Sequence, residues 1–201
     1  SIRAAEGRRR KALERLGASG VSGTVAMRWR NAGRFMTAGE HADLLDAALG
    51  EIEGGARGGL RIGVIGSPLL SPASYELFEG FGTIVCDWQP WGAVWPGPGN
   101  DKLTLPEILR ATAADPSCPR IAPTTAFRTA LLDAVTEARC ELVLCQLAPT
   151  DDTIGWEIPA IASALGERGI AFVNLGFREP DQDTWHERAA ALISAKLEAR
   201  K

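Results

Sequence analysis

The sequence has few of the residues that most often bind structural metals or form disulfide frameworks. It contains two histidines and four cysteines in 201 residues, and no two cysteines form a CxxC pair. His41 and His186 lie alone in polar segments with helical character, which is typical of solvent-facing residues. We therefore predict reduced thiols and no histidine metal site, because neither a zinc motif nor a secreted disulfide pattern is present. The four cysteines are Cys86, Cys118, Cys140 and Cys145.

Long apolar runs and an excess of charge of one sign are also missing. No apolar run approaches the roughly 20 residues of a membrane-spanning helix, and the basic start is not followed by an apolar signal region. The net charge is -3 and the pI is near 5.5, which gives no electrostatic reason to bind nucleic acid or an anionic membrane. We interpret the RRRK cluster at 8–11 as a solvated helix face. These features favour a cytoplasmic protein without nucleic-acid or membrane partners.

The N-terminal quarter shows helical patterns and no strand. Residues 2–16 form a charged helix in this interpretation, and 17–24 form a loop of small residues. Thr37 is a candidate N-cap for a second helix, with Glu40 at the capping-box position three residues later. The glycine-rich run "EGGARGG" at 53–59 marks a hinge. We predict a helical extension and hinge over residues 1–59.

From residue 60 onward, short apolar runs alternate with amphipathic helices, which is typical of βαβ units. Ser71 is a candidate cap for the first of these helices, with Pro72 at its first position. The predicted fold of residues 60–201 is α/β, a Rossmann-like open parallel sheet of about four strands with flanking helices. The predicted strands cover 61–66, 83–87, 141–146 and 170–176. The predicted helices begin within "SPASYELFEG", "TLPEILR", "TTAFRTALL", "EIPAIASAL" and "DTWHERAAAL".

Ligands of such sheets bind beyond the carboxyl ends of the strands, so the loops at that edge carry the candidate site. The turn "GSPLLSP" after the first strand lacks a nucleotide-binding fingerprint, which favours a plain turn and helix cap. Its helix amides could also hold an anion, with Ser67 as the cofactor-binding candidate. The loop "DWQPWGAVWPGPGND" after the second strand is rich in tryptophan. It covers a ligand, a partner subunit or the edge of the core, and Trp91 is its candidate cofactor contact.

Cys145 lies where the third apolar strand ends. Buried cysteine is common, so spacing alone favours a core residue over a catalytic one. Cys140 is expected on the opposite side of the sheet, because the two cysteines are five residues apart. Cys86 has apolar neighbours and is interpreted as a core residue, whereas Cys118 lies in a loop from which it could reach the site.

The residues after Cys145 bear on whether it acts as a nucleophile. Asp151 and Asp152 are predicted to cap the following helix, since carboxylates are stabilised at a helix start. A cysteine nucleophile would need a base, and neither histidine falls near Cys145 in the predicted topology. A nucleophilic role is therefore the least favoured of the alternatives.

Several stretches, taken in order, resemble the 2-hydroxyacyl-CoA dehydratase and benzoyl-CoA reductase family. The resemblance is to the C-terminal part of a cluster-bearing subunit, and it lies in the succession of motifs across most of the chain. The stretches are "NAGRFMTAGEHADLLDAAL", "RIGVIGSP", "ASYELFEGFGTIVCDWQPWG", "CPRIAPTTAFRTALLDAV", "ELVLCQ" and "WEIPAIASALGERGIAFVNL".

The resemblance implies a specific chemistry. Members of this family use [4Fe-4S] clusters in a heterodimer, and an ATP-dependent activator supplies single electrons that form radicals from CoA thioesters. By position, Cys145 resembles the cluster cysteine, Cys118 is a further candidate metal ligand, and Glu157 resembles the acidic residue of the following helix. One thiolate cannot hold a cluster, so its other ligands are expected from another chain or an additional domain.

Two functions follow from the resemblance. In the first, the chain is a subunit or half-subunit of an iron-sulfur dehydratase or reductase that acts on an acyl-CoA, together with a second homologous subunit and the electron-donating activator. Glu157 then positions substrate, and the tryptophan loop covers the thioester. In the second, the chain is a cluster-free accessory subunit of the same fold that binds a partner chain or a small molecule.

Overall fold

A computed structural model describes residues 2–51, 58–69, 71–89, 103–117, 122–178 and 182–200. The N-terminal helices are α1 (Ile2–Ala18), α2 (Gly23–Ala32) and α3 (Ala38–Glu51). The first half of the α/β part contains β1 (Leu60–Gly66), α4 (Pro72–Glu79), β2 (Gly82–Trp88), α5 (Leu105–Ala113) and α6 (Thr124–Glu137). The second half contains β3 (Leu142–Leu147), α7 (Asp152–Gly155), α8 (Ile158–Glu167), β4 (Ala171–Phe177) and α9 (Gln182–Glu198).

The four strands form one parallel sheet in the order β2-β1-β3-β4. The predicted α/β fold with an open parallel sheet is therefore confirmed, and each strand lies within one residue of its predicted position. After β1 the chain first adds β2 on one side, and it then returns to add β3 and β4 on the other side of β1. The strand order therefore reverses between β1 and β3. The carboxyl ends of these two strands are thus the topological switch point, where open α/β sheets bind ligands.

Each face of the sheet is covered by helices. On one face, Ile62 and Val64 of β1 contact side chains of α4 and α9, including Phe78 and Trp185. On the other face, Ile65 packs among side chains of α6 and α8. Consecutive side chains of β1 thus pack into the clusters on opposite faces of the sheet, because successive side chains of a strand point to opposite sides. Burial on both faces explains why the sequence shows continuous apolar runs at the strands.

Local capping signals were predicted correctly. The Ser71 side chain accepts a hydrogen bond from the Ala73 amide, with proline in the first turn of α4. At the start of α3, the Thr37 amide donates to Glu40 over 2.8 Å, and the Glu40 amide donates to the Thr37 hydroxyl over 3.3 Å. This reciprocal pair is the predicted capping box.

Helix α2 was not predicted from the sequence. It is only ten residues long, and four of these residues are polar or charged, namely Thr24, Arg28, Arg30 and Asn31. Ser22 caps it by accepting from the Val25 amide, and the Glu79 carboxylate of α4 accepts from the Gly23 amide over 2.6 Å. Helix α2 therefore joins the helical extension to the sheet. The boundary at residue 60 stays a prediction, and most of the predicted hinge at 53–59 lies outside the described residues.

The prediction that Cys140 and Cys145 face opposite sides of the sheet was wrong. Both belong to the apolar cluster under α6 and α8. Cys140 precedes β3, so the alternation of strand residues does not extend to it.

Within the described ranges, no helix is long and apolar enough to cross a membrane.

Candidate functional site

At the switch point, Ser67 connects the loops that follow β1 and β3. Its hydroxyl donates to the Asp151 carboxylate over 2.6 Å and accepts from the Ala148 amide over 2.8 Å. The Gln146 side chain donates to the Ser67 carbonyl. Ser67 is 1% exposed, so its hydroxyl is occupied in holding the two loops together. Its predicted role in binding a cofactor stays a prediction.

Asp151 and Asp152 were predicted to cap the next helix, and the structure places them at the start of α7. Asp151 occupies the N-cap position, yet its side chain accepts no capping hydrogen bond from an amide of α7. Its carboxylate instead accepts from Ser67. Asp151 thus pairs with Ser67, which is distant in sequence, in place of an amide of α7. A local sequence pattern does not reveal such a partner.

A buried polar network lies at the end of β2. Arg30 of α2 donates to Asp87 over 2.5 Å, and the Tyr75 hydroxyl donates to the same oxygen over 2.9 Å. Gln89 donates to the other Asp87 oxygen over 2.6 Å and accepts from the Leu69 amide over 2.9 Å. Burial, and then the negative charge of Asp87, raise the pKa of Tyr75. The network fixes α2, α4 and the loop after β1 against the sheet.

Sequence reasoning missed this network. Arg30 and Asp87 are 57 positions apart, and Arg30 belongs to the helix that was not predicted. The only available signal was Asp87 itself, a carboxylate at the end of an apolar strand. Charged residues are rarely buried without a partner, so its position indicated a partner without identifying one.

A groove of about 440 Å³ lies beyond the carboxyl ends of β3 and β4. Trp156 and Phe177 stand at its rim, 83% and 52% exposed, respectively. Two polar residues, Asp152 and Asn174, line an otherwise apolar wall. The Asn174 oxygen accepts from the Gly176 amide over 2.9 Å, and the NH₂ group of the same side chain is a hydrogen-bond donor. The remaining lining residues are Leu147, Gly155, Ile158, Pro159 and Gly176.

The groove matches the general chemistry of small-molecule sites, which combine an apolar wall with a few polar groups that fix orientation. Exposed apolar side chains that share one surface mark ligand or partner sites, and Trp156 and Phe177 line the same groove. Asp152 could accept a hydrogen bond from a ligand hydroxyl, and the Asn174 NH₂ could donate one to a carbonyl. This groove was not predicted from the sequence, because its two sides come from separate segments.

Glu157, the predicted catalytic residue, lies next to the groove. Its carboxylate accepts from Arg128 of α6 over 3.2 Å, and its side chain is 16% exposed. The pair joins α6 to the start of α8, where Pro159 occupies the first turn. Glu157 is thus held by Arg128 between Trp156 and Ile158, two residues that line the groove. A catalytic role stays a prediction.

Cys145 lies inside the sheet rather than at its tip. It is 0% exposed, and its side chain belongs to the apolar cluster beneath α6 and α8. Burial, and then the nearby charge of Asp151, raise the pKa of the Cys145 thiol to about 12. A thiol with this pKa is protonated at neutral pH, whereas a cysteine nucleophile must be a thiolate.

The described residues do not by themselves fit an iron-sulfur cluster. A cluster needs several thiolates around one accessible volume. Among the residues the structure describes, no three His, Cys, Asp or Glu side chains are grouped so that they could hold a metal. The Cys145 thiol is enclosed by apolar side chains, and Cys118 lies outside the described residues. Cys145 and Cys118 as metal ligands therefore stay predictions.

The tryptophan loop is described only at its start. Trp88 ends β2 and packs against the cluster beneath α6, so this tryptophan covers the core of the protein itself. Trp91 and Trp95 lie outside the described residues. The predicted contact between Trp91 and a cofactor stays a prediction.

Comparison with known proteins gives one family. The family model described as 2-hydroxyglutaryl-CoA dehydratase, D-component, matches residues 2–199. No curated protein matches the chain. The match extends over the N-terminal helices as well as the α/β part, so both belong to one family unit.

Proposed function

Because the chain belongs to the 2-hydroxyglutaryl-CoA dehydratase D-component family, we propose that it binds an acyl-CoA thioester as a subunit of a 2-hydroxyacyl-CoA dehydratase-type enzyme. The family relation expected from the order of sequence motifs is confirmed. The acyl group occupies the groove beyond β3 and β4 in this proposal. The observation that carries it is the pairing of an exposed aromatic rim with two polar groups at the carboxyl edge of the sheet.

The groove chemistry suits a 2-hydroxyacyl group. Trp156 and Phe177 contact the alkyl part, whose transfer from water is favourable. The substrate 2-hydroxyl donates to Asp152, and the thioester carbonyl accepts from Asn174. Asp152 would repel a second carboxylate, so the groove favours an uncharged acyl chain over a dicarboxylic one. Glu157 positions the start of α8 through its ion pair with Arg128.

The partners of the enzyme follow from the family relation. The family name describes a component, which implies a multi-subunit enzyme acting on CoA esters. We propose a second homologous subunit as the obligatory partner and an ATP-dependent activator as the electron donor. The [4Fe-4S] cluster of such an enzyme would take ligands from the partner chain or from residues outside the described part.

Acyl-CoA binding can be measured by titration calorimetry with 2-hydroxyhexanoyl-CoA and free CoA. We expect the acyl-CoA to bind about 10-fold more tightly or better, since its alkyl chain buries apolar surface. Trp156→Ala should remove most of this preference, because a truncated aromatic anchor costs about 1–2 kcal/mol or more. Phe35→Ala is the matched control, since Phe35 is 87% exposed and lies outside the groove. An unchanged preference in Trp156→Ala would contradict the proposal.

The burial of Cys145 favours a second candidate, the cluster-free subunit. Iron and acid-labile sulfide, measured on protein purified without air together with its co-purifying chain, distinguish the two. Because the Cys145 thiol is enclosed by apolar side chains, we expect Cys145→Ala to retain as much iron as Val143→Ala, a core variant of the same strand and cluster. Iron lost only in Cys145→Ala would make Cys145 a ligand and would support the cluster-bearing function.

A further inference from the structure

Cys86 and Cys140 lie side by side on the α6 face of the sheet. Cys86 of β2 is the Cα partner of Gly63 on β1. A Cβ atom at Gly63 would lie 3.1 Å from the Cys140 sulfur, so this sulfur occupies the space that a side chain at Gly63 would fill. Cys140 belongs to the apolar cluster beneath α6 and α8, and Cys86 packs against the same cluster. Their proximity thus follows from strand register, from the absence of a side chain at Gly63 and from their shared cluster.

The two thiols differ in acidity. The Cys86 side chain is the largest cause of a lowered pKa at Cys140, the positive charge of Arg61 acts in the same direction, and burial opposes both. The Cys140 side chain, and then burial, raise the pKa of Cys86. Cys140 is therefore the more acidic thiol of the pair. Because the thiolate is the nucleophilic form of cysteine, Cys140 is the thiol expected to react first with an oxidant.

The pair is accessible in a way that Cys145 is not. β2 is an edge strand, and Cys86 is only half-buried. Cys140 is 5% exposed, whereas Cys145 is 0% exposed. Within the described part of the chain, no third His, Cys, Asp or Glu joins the pair as a metal site. Two thiols without a third ligand favour disulfide formation over metal binding.

We propose that Cys86 and Cys140 form a redox site that a hydroperoxide converts into an intramolecular disulfide. The Cys140 thiolate attacks the O–O bond of hydrogen peroxide, giving a Cys140 sulfenic acid and hydroxide, which takes up one proton. Cys86 then attacks the sulfenic sulfur, the S–S bond forms and water leaves. In total, two thiols are oxidised and one peroxide is reduced to two waters. A dithiol reductant reverses the reaction.

The site is independent of acyl-CoA binding. The Cys140 sulfur lies over Gly63 in the middle of β1, and Cys86 is paired with Gly63 in register, away from the groove beyond β3 and β4. Failure of the groove proposal would therefore leave this site untouched.

Oxidation can be followed by intact mass on the full reduced chain. After treatment with one equivalent of hydrogen peroxide and alkylation under denaturing conditions, we expect two of the four cysteines to resist alkylation. A non-reducing peptide map should join the Cys86 peptide to the Cys140 peptide. Cys145→Ser should form the same bridge, and Cys86→Ser should stop at a Cys140 sulfenic acid that dimedone traps.

Three outcomes would overturn the proposal: a bridge that includes Cys118 or Cys145, an unchanged loss of two thiols in Cys86→Ser, or four alkylated cysteines in oxidised wild type.

Binding of one equivalent of phenylarsine oxide by the wild-type chain provides a test without any substitution. This reagent bridges two neighbouring thiols, so we expect it to protect Cys86 and Cys140 from alkylation. Protection of any other pair would also contradict the proposal.

Discussion

Replacement of Asp87 by alanine is expected to destabilise the protein by about 3–5 kcal/mol, the cost of leaving a buried charge without its partner. Arg30 and Asp87 are each 7% exposed, and their side chains are 2.5 Å apart. The substitution also removes the acceptor of the Tyr75 hydroxyl and of the Gln89 amide. Urea denaturation measures the loss as a lower midpoint at an unchanged slope.

The same helix provides the control. Arg28 also lies on α2, and its guanidinium is 3.5 Å from the Glu76 carboxylate. The two side chains are 60% and 58% exposed, respectively. Arg28→Ala should cost no more than about 1 kcal/mol, because water screens an exposed pair. The double variant Arg30→Met, Asp87→Leu should recover much of the stability lost in Asp87→Ala. Equal effects of Asp87→Ala and Arg28→Ala would contradict the buried network.

Gly66→Ala is expected to be comparably severe, because the switch point depends on a close approach of two backbones. Gly66 has φ of +113°, where side chains are rarely accommodated. A Cβ there would lie 1.9 Å from the Gln146 carbonyl oxygen, so β1 and β3 would have to separate. Backbone strain of about 1–3 kcal/mol and overpacking of a similar size, about 1–3 kcal/mol, combine to a loss of about 2–6 kcal/mol.

Gly166→Ala is the matched substitution for this test. Gly166 lies in α8, and a Cβ there would have no atom within 4 Å. Alanine should stabilise that helix by about 0.5–1 kcal/mol, since it reduces the freedom of the unfolded chain. Opposite signs for the two glycine variants are the expected result. A small effect of Gly66→Ala would mean that the two strands do not approach as closely as described.

The elements that could be predicted from the sequence are those with local causes. Each strand is an apolar run bounded by turn residues, so its position was predicted within one residue. Ser71 and Thr37 cap their helices through bonds to residues two or three positions away. Helix α2 has no comparable pattern, because much of what stabilises it comes from Glu79 and Asp87 in the α/β part.

The site was less predictable for the same reason. The carboxyl edge followed from the parallel topology, and Ser67 indeed lies at the switch point. The Cys145 side chain points into the cluster beneath α6 and α8 because of its position in β3. The sequence alone does not specify which face of the sheet that position occupies. The groove combines the end of β4 with α7, a single helical turn that was not predicted. Contacts between distant segments, rather than local patterns, determine this part of the site.

Photolabelling tests the binding of the acyl group in the groove most directly. A 2-hydroxyacyl-CoA with a diazirine at the end of its acyl chain is bound to the full chain, irradiated, and the labelled peptides are mapped by mass spectrometry. We predict labels within 147–159 and 174–177, around Trp156 and Phe177, and their loss when unlabelled acyl-CoA competes. Competed labelling on the α4 and α9 face instead would contradict the account.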